Sequence, residues 1–356
     1  MKKTGKKNRP RPALASGGAK LAAVAVDSYN LEVRDAQGFI GDRASNRAFI
    51  DILDEMRQAM RDVGDDPLGD EPSHELKKKT IDGFLRKSGV EAAGVVHGAI
   101  EEFAQELAAV IRRFLKEKGW HGTQRIVAGG GMRGSRVGEL AIGRTTVILK
   151  LEGIALEIVP IRNDPDEAGL IGAAHLIPIS LLEGNSGLLA VDIGGSSIRA
   201  GVLKLPRKKP LDLGKVKVWR MQNWHYADAE PKPGRDEAVT RLAGMLRALM
   251  GKAEAAGMNL APIIGVACPG LIGPDGAILE GGQNLPGNWE SDSFNLADRL
   301  RAEIPAIGER ETRVVMHNDA VVQGLSEAPF MTDVDRWGVL TIGTGLGNAR
   351  FTNRRD

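Results

Sequence analysis

Two glycine-rich turns and one Asn-Asp pair carry most of the chemistry that this chain's residues could perform. In Val191-Asp192-Ile193-Gly194-Gly195-Ser196-Ser197 an apolar strand delivers a carboxylate to its end, and two glycines let the backbone turn sharply. The amide N–H groups and hydroxyls of Gly194, Gly195, Ser196 and Ser197 then form an anion cradle, and Asp192 is placed to hold a metal-bound water. A plain β-hairpin turn would account for the same residues. Gly343-Thr344-Gly345-Leu346-Gly347 repeats the pattern after the apolar run Val339–Ile342. Two such cradles predict a phosphate chain gripped from both sides, as transfer of a γ-phosphoryl group requires.

His317-Asn318-Asp319 follows the strand-like run Arg313–Met316 and opens a helical pattern. An aspartate at a strand end can accept the proton of a hydroxyl that attacks phosphorus, and Asn318 can orient a second hydroxyl. Helix capping explains the same pair, because Asn and Asp are preferred caps. Gly129-Gly130-Gly131-Met132-Arg133-Gly134 satisfies Gly-x-Gly-x-x-Gly, with Glu152 roughly where a ribose carboxylate belongs. The further βαβ units of a dinucleotide-binding half are missing downstream, and there is no Walker A sequence ending in Gly-Lys-Ser/Thr.

The elements that must position these residues alternate between strand and helix. Lys20–Val33 alternates like a strand, and Ser45 can cap an amphipathic helix to about Val63. Asp65–Glu71 is a Pro/Gly/Asp loop, and His74–Lys87 reads as a helix. In Glu91–Lys118 the residues Val96, Ile100, Phe103, Leu107, Ile111 and Phe114 recur every three or four positions and make one buried stripe. Strands are expected at Arg125–Ala128, Ala155–Pro160, Leu188–Asp192, Ile198–Lys204, Ile263–Cys268 and Arg313–Met316, with a hairpin over Val339–Phe351. Helices are expected from Ser135, over Glu167–Leu176, Asp236–Ala256 and Phe294–Glu303, and from Ala320. Pro206–Pro233 reads as an extended strand and loop. This alternation implies an α/β fold.

Composition narrows the function classes. A chain of 356 residues with 42% hydrophobic and 26% charged residues is long enough for two domains with substantial cores. A net charge of +2 gives no global reason to expect nucleic acid. The single cysteine, Cys268, excludes an internal disulfide and a multi-cysteine zinc site, and fits a reducing cytoplasm. No apolar run reaches the length of a membrane span. The basic start, residues 1–18, lacks the apolar core of a signal peptide and reads as a disordered, solvated tail.

Together these motifs resemble the ROK family (repressors, open reading frames and sugar kinases) of the actin-like ATPase superfamily. Val191–Val202 resembles its first phosphate motif, Gly265–Gly270 with Gly276 and Asn284–Trp289 its sugar-lobe pattern, Asn318-Asp319 its catalytic Asn-Asp, and Gly343–Gly347 its second phosphate motif. Val127–Gly131 resembles the family's adenosine-side glycine turn, and Ala168–His175 its closing helix. The likeness covers roughly two-thirds of the chain. It implies a two-lobed ribonuclease H-like fold and an ATP- and Mg2+-dependent sugar kinase. Asp319 would be the catalytic base and Asn284 and Asn318 would contact the sugar. Gly194–Ser197 and Gly343–Gly345 would hold phosphates, Gly129, Gly130 and Gly131 would pack along adenosine, and Asp192 would organise the hydrated metal. It also implies a homodimer.

The chain departs from that pattern in three ways. The adenosine turn and closing helix precede the first phosphate motif, as in a circular permutation joined through Ile177–Ser186. The family's Glu-x-Gly-His sugar contacts and cysteine-rich zinc motif do not follow Gly347, so no zinc is expected; His74, His97, His121, His175 and His225 fit surface or helix positions. His317 and Val321 stand where the family uses Glu and a polar residue. The expected organisation is a tail over 1–18, a first part of the large lobe over 19–165, a small lobe over 166–312 and the rest of the large lobe over 313–356. A non-catalytic sugar or nucleotide sensor on the same scaffold is the alternative. No winged helix-turn-helix is legible in residues 1–90, so nucleic acid is not an expected partner.

Overall fold

The structure, a computed structural model, describes residues 14–87, 89–207 and 211–355. Ten strands build two five-stranded sheets. They are Val24–Tyr29 (β1), Arg125–Gly129 (β2), Glu157–Pro160 (β3), Gly187–Ile193 (β4), Ile198–Lys204 (β5), Lys217–Trp224 (β6), Leu260–Cys268 (β7), Arg313–Asn318 (β8), Arg336–Ile342 (β9) and Leu346–Asn353 (β10). The helices that cover them are Asn46–Val63 (α1), Lys78–Lys87 (α2), Val90–Lys116 (α3), Arg136–Leu151 (α4), Pro165–Ala173 (α5), Ile179–Leu182 (α6), Arg235–Ala255 (α7), Leu296–Glu303 (α8) and Asp319–Leu325 (α9). The chain is therefore mixed α/β, as the alternating pattern predicts.

The two sheets share one topology. In the order β8-β7-β4-β5-β6, the central β4 is antiparallel to β5 and parallel to β7, with β5–β6 antiparallel and β7–β8 parallel. In the order β1-β10-β9-β2-β3, β9 takes the place of β4: it is antiparallel to β10 and parallel to β2, with β10–β1 antiparallel and β2–β3 parallel. The first sheet follows the chain from β4 to β8. The second draws β9 and β10 from late in the sequence and β1, β2 and β3 from early in it. Antiparallel pairing of Val24–Tyr29 with Ala349–Asn353 closes this sheet across the two segments.

Helices fill three layers around the sheets. The predicted stripe of α3 is buried in full, Val96, Ile100, Phe103, Leu107, Ile111 and Phe114 each being at most 2% exposed. It packs with α1 and α4 on one face of the second sheet. Each such side chain contributes roughly 1.5–3 kcal/mol by leaving water. On the outer face of the first sheet α7 and α8 play the same part. Between the sheets lie α5 and α9, whose small residues pack against Leu188 and Ala190 of one sheet and Val127, Val339 and Phe351 of the other. The loop before α2 is held by Arg57, which is fully buried and donates to Asp66, Ser73 and the carbonyls of Gly69 and Glu71, all at 2.8 Å.

Two boundaries differ from expectation. Residues 313–318 form β8, which is hydrogen-bonded to β7 in the first sheet. A division at 312/313 therefore cuts a sheet, because an apolar parallel strand completes that sheet before α9 starts. Of the tail drawn over 1–18, residues 1–13 lie outside the described residues, while Leu14 packs on the central core and Ser16 is buried.

Backbone contact between α5 and α9 sets the spacing of the layers. A Cβ on Gly172 would fall 1.7 Å from the carbonyl oxygen of Val322. Gly172→Ala should therefore destabilise the fold by at least about 2 kcal/mol in urea titrations, although alanine is the better helix former. Gly143→Ala in α4, where a Cβ would meet nothing within 4 Å, should instead stabilise by about 0.5–1 kcal/mol. Equal effects at the two positions would show that the crossing tolerates a side chain.

Candidate functional site

Parallel strands point their carboxyl ends one way, so each sheet gathers its loops at a single edge. In the first sheet that edge carries the turn after β4, Cys268 at the end of β7 and Asn318 at the end of β8. In the second it carries the turn after β9 and Gly129 at the end of β2, Thr341 lying opposite Gly129. The two hairpin turns are built alike. Gly194 N–H closes on the carbonyl of Ser197 and Gly343 N–H on that of Gly345, each at 2.9 Å. In both, the tip residues (Gly195 and Ser196; Thr344 and Gly345) face solvent. A Cβ on Gly345 would meet nothing within 4 Å, so the space above that turn is open.

One cleft lies against the second turn and reaches Asn284. A cavity of about 500 Å³ is lined by Thr344, Gly345, Asn284, Asp42, Ser45 and Arg47. Asn284 also sits over the first turn, its Cβ lying 3.4 Å from where a Cβ on Gly195 would be. Tyr226 fixes this arrangement by donating to the carbonyl of Gly194 at 2.6 Å and being in reach of that of Asn284 at 3.2 Å.

The glycine turn at 129–131 adjoins the second phosphate-type turn. Gly130 has φ +85°, and a Cβ there would lie 2.4 Å from the carbonyl oxygen of Ile342, so only glycine fits. Asn46 joins the two turns: its N–H donates to Gly343 O at 2.9 Å, and its side-chain nitrogen faces Gly131. Lys78 Nζ donates to the Gly131 carbonyl at 2.8 Å. Beside this turn a cavity of about 610 Å³ is lined by Lys79, Asp82, Arg86, Arg133, Arg136 and Glu139. Sequence reasoning passed over Asn46 and Lys78. Asn46 follows the Ser45 cap and could have been noticed as a side chain at a helix start; Lys78 carries no local signal.

The carboxylates behave differently from one another. Asp192 is 2% exposed, with the Gly169 backbone against its carboxyl group and Arg199 Nη1 at 3.3 Å from Oδ2. Arg199 also donates to Asp166, in the first turn of α5, at 2.7 Å. Burial raises the Asp192 pKa, and Arg199 opposes the rise. Asp319 is partly exposed, and burial together with the charge of Asp192 raises its pKa to about 6. The buried Cys268 thiol is pushed well up by burial and by both aspartates, so it is inert as a nucleophile. Asn318 caps α9: its Oδ1 accepts from Ala320 and Val321 N–H, and its Nδ2 donates to Gly270 O at 3.0 Å. The capping use of this residue is thus present in the fold, and its amide is already engaged at both ends.

Among the described residues no group of three or more His, Cys, Asp or Glu side chains is arranged to hold an ion. A magnesium ion would therefore be held mainly by phosphate oxygens and water, with Asp192 behind the water and Arg199 sharing that carboxylate. Burial and then the Asp192 charge lift Asp319, and the second of these marks where added positive charge would be favourable.

No family model and no curated protein matches the chain. Among solved structures it is similar to a ROK family glucokinase from Streptomyces griseus in complex with glucose and AMPPNP, at 22% identity over 48% of this chain and 46% of that one, with a TM-score of 0.34. The neighbours include ROK sugar kinases. ROK hexokinase from Thermus thermophilus matches at 26% identity over 38% of this chain and 35% of that one, with a TM-score of 0.25. The Aquifex aeolicus PPX-GPPA enzyme matches at 15% identity over 65% of this chain and 83% of that one, with a TM-score of 0.27. The chain spans about half the length of the sugar-kinase structures that it matches. No helix of the described residues is long and apolar enough to cross a membrane.

Carbon-13 NMR of the Asp319 carboxyl should give a titration midpoint about 6, and Asp192→Asn should lower it toward the ordinary aspartate range. Because the folded pKa is raised, the stabilising form is the protonated one. The contribution is complete below the unfolded value and is lost as pH rises through about 6, so Asp319→Asn should flatten stability over pH 4–7. A midpoint that ignores Asp192 would separate the two carboxylates.

Proposed function

We propose that this cleft phosphorylates a sugar hydroxyl at the expense of ATP. The fold would be the two-lobed actin-like ATPase (ribonuclease H-like) scaffold with its strand order circularly permuted. The observation that carries the reading is the pair of like-built glycine turns, with Asn284 lining the cleft at the second turn and sitting over Gly195 of the first. The doubled 3-2-1-4-5 strand order supports the scaffold. Its second copy runs in order only when β10 is followed by β1, which supports the permutation.

In this reading the turns Gly194–Ser197 and Gly343–Gly345 hold the phosphates through backbone N–H groups and hydroxyls. Adenosine lies along Gly129, Gly130 and Gly131, near the charged cavity at Asp82 and Arg133. Asp192 would hold a magnesium ion through its water, and the ion, bound with ATP, would supply neutralising charge to the transferred group. Asp319 takes the proton of the attacking hydroxyl, and a base whose pKa is about 6 is both ionised and basic enough near neutrality. Asn284 faces the sugar from the cleft wall, and Asn318 acts by fixing the start of α9 behind Asp319. The proposed lobes are the two sheets with their helices, and closure about the α5–α9 layer would exclude water from the transfer.

Two observations favour the sensor instead: Asp192 is already paired with Arg199, and the Asn318 amide has no free end. Turnover decides between them. With Mg-ATP and a panel of hexoses and N-acetylhexosamines, the protein should form ADP only when a sugar is present. Asp319→Asn should lower kcat by about 10²–10⁴-fold, with little change in ATP binding. ATP or sugar binding without sugar-dependent ADP would establish the sensor.

A further inference from the structure

β8 is an edge strand of the first sheet, and it ends one residue before Asp319. Edge strands fray, and fraying here would reach the carboxylate directly. The free edge is covered by the segment Ser16–Gly18. Gly17 N–H donates to the Met316 carbonyl at 2.9 Å, and Met316 N–H donates to Ser16 Oγ at 3.1 Å. Ser16 N–H reaches back to the carbonyl of Pro274 at 3.3 Å. Gly17 has φ +59°, and a Cβ there would fall 2.0 Å from the carbonyl oxygen of Ile272, so the segment is seated too closely for any side chain.

His317 continues the connection. It is 1% exposed, and its Nδ1 accepts the N–H of Asn318 at 2.8 Å. Nδ1 being the acceptor, the ring proton sits on Nε2, which faces the carbonyl of Gly18 at 3.3 Å. Tyr29, at the end of β1, meets the ring edge-on with centroids 5.1 Å apart. Burial lowers the His317 pKa to about 4, so the neutral ring that this bonding needs is the form present near neutral pH.

We infer that Ser16–Gly18 and His317 form a positioning element for Asp319. The segment pins the open edge of β8, and His317 passes that restraint to the backbone N–H of Asn318. Neither touches the reacting atoms. The inference rests on the proposal that Asp319 is the base, and it adds the means by which residues distant in sequence hold that base still. Such restraint matters because a displacement near 1 Å can cost about a hundredfold in rate.

Gly17→Val tests the segment by forcing it off the Ile272 carbonyl, and His317→Asn and His317→Leu divide the role of the ring. Asn keeps an acceptor for the Asn318 N–H and loses the reach to Gly18; Leu loses both. In Gly17→Val, hydrogen exchange at Val315–Asn318 should speed up about tenfold or more. Its kcat should fall by about ten- to a hundredfold, with KM for ATP within about twofold. His317→Asn should retain more activity than His317→Leu. Unchanged exchange in Gly17→Val, or faster exchange with kcat intact, overturns the inference, as does His317→Asn behaving like His317→Leu. Exchange and the Asp319 carboxyl carbon-13 shift are read without turnover. A chain that shows no sugar-dependent ADP therefore defeats the kinase reading, while these two measurements still decide whether the segment positions Asp319.

Discussion

The approach of α5 to α9 is the constraint on which the rest of the structure depends. With Gly172 against the Val322 carbonyl, the two helices meet backbone to backbone, and neighbouring glycines extend the same closeness to both sheets. Gly265 leaves room for Ala173, Gly201 for Leu170, and Gly324 for the Phe351 ring. Three carboxylates hang on this crossing. Asp319 is the first residue of α9, Asp166 lies in the first turn of α5, and Gly169 of α5 lies against Asp192. The close crossing thus holds three acidic groups near one another, and Asp319 is lifted first by its burial there and then by the charge of Asp192.

That repulsion is moderated by one residue, Arg199, which spans Asp192 and Asp166. The pair it makes with Asp192 lies within a sheet and is almost buried, so it is screened far less than a surface pair. Arg199 therefore links the charge state of the first turn to the placement of α5, and through Gly172 to α9.

Much of this was legible in sequence, for physical reasons that differ from case to case. The α3 stripe and the Ser45 and Ser135 caps follow from local periodicity and local hydrogen bonding. The glycine turns were legible because glycines cluster where apolar strands end, and at Gly130 a positive φ restricts the residue choice as well. Arg199 was missed although a signal existed: the four-residue turn from Gly194 to Ser197 puts Asp192 directly opposite Arg199 in the hairpin. Asn46 and Lys78 reach Gly343 and Gly131 across hundreds or tens of residues, and no local pattern encodes such meetings. Leu14–Gly18 looked like an extension of a basic tail because its small residues carry no periodicity; its seat depends on carbonyls of Ile272, Pro274 and Met316 that only the folded sheet presents.

The meeting of early and late segments has a mechanical consequence. In the first sheet, β5 and β6 are consecutive along the chain, whereas the equivalent neighbours β10 and β1 meet through noncovalent contacts, their ladder first among them. Further bonds reinforce it: Arg354 donates to the carbonyl of Leu21 at 2.7 Å, and Asn348 both accepts from and donates to the backbone of Leu31 at 3.0 Å. Beneath them Arg350 ties Asp27 to the carbonyl of His121. These contacts hold β1 in register, and β1 leads on one side to Tyr29 against His317 and on the other to the segment over β8. The noncovalent closure of the second sheet and the restraint on Asp319 in the first are therefore one continuous structure. Loosening the β1–β10 ladder should be felt at Asp319 before it is felt in the α3 core, which rests on the opposite face.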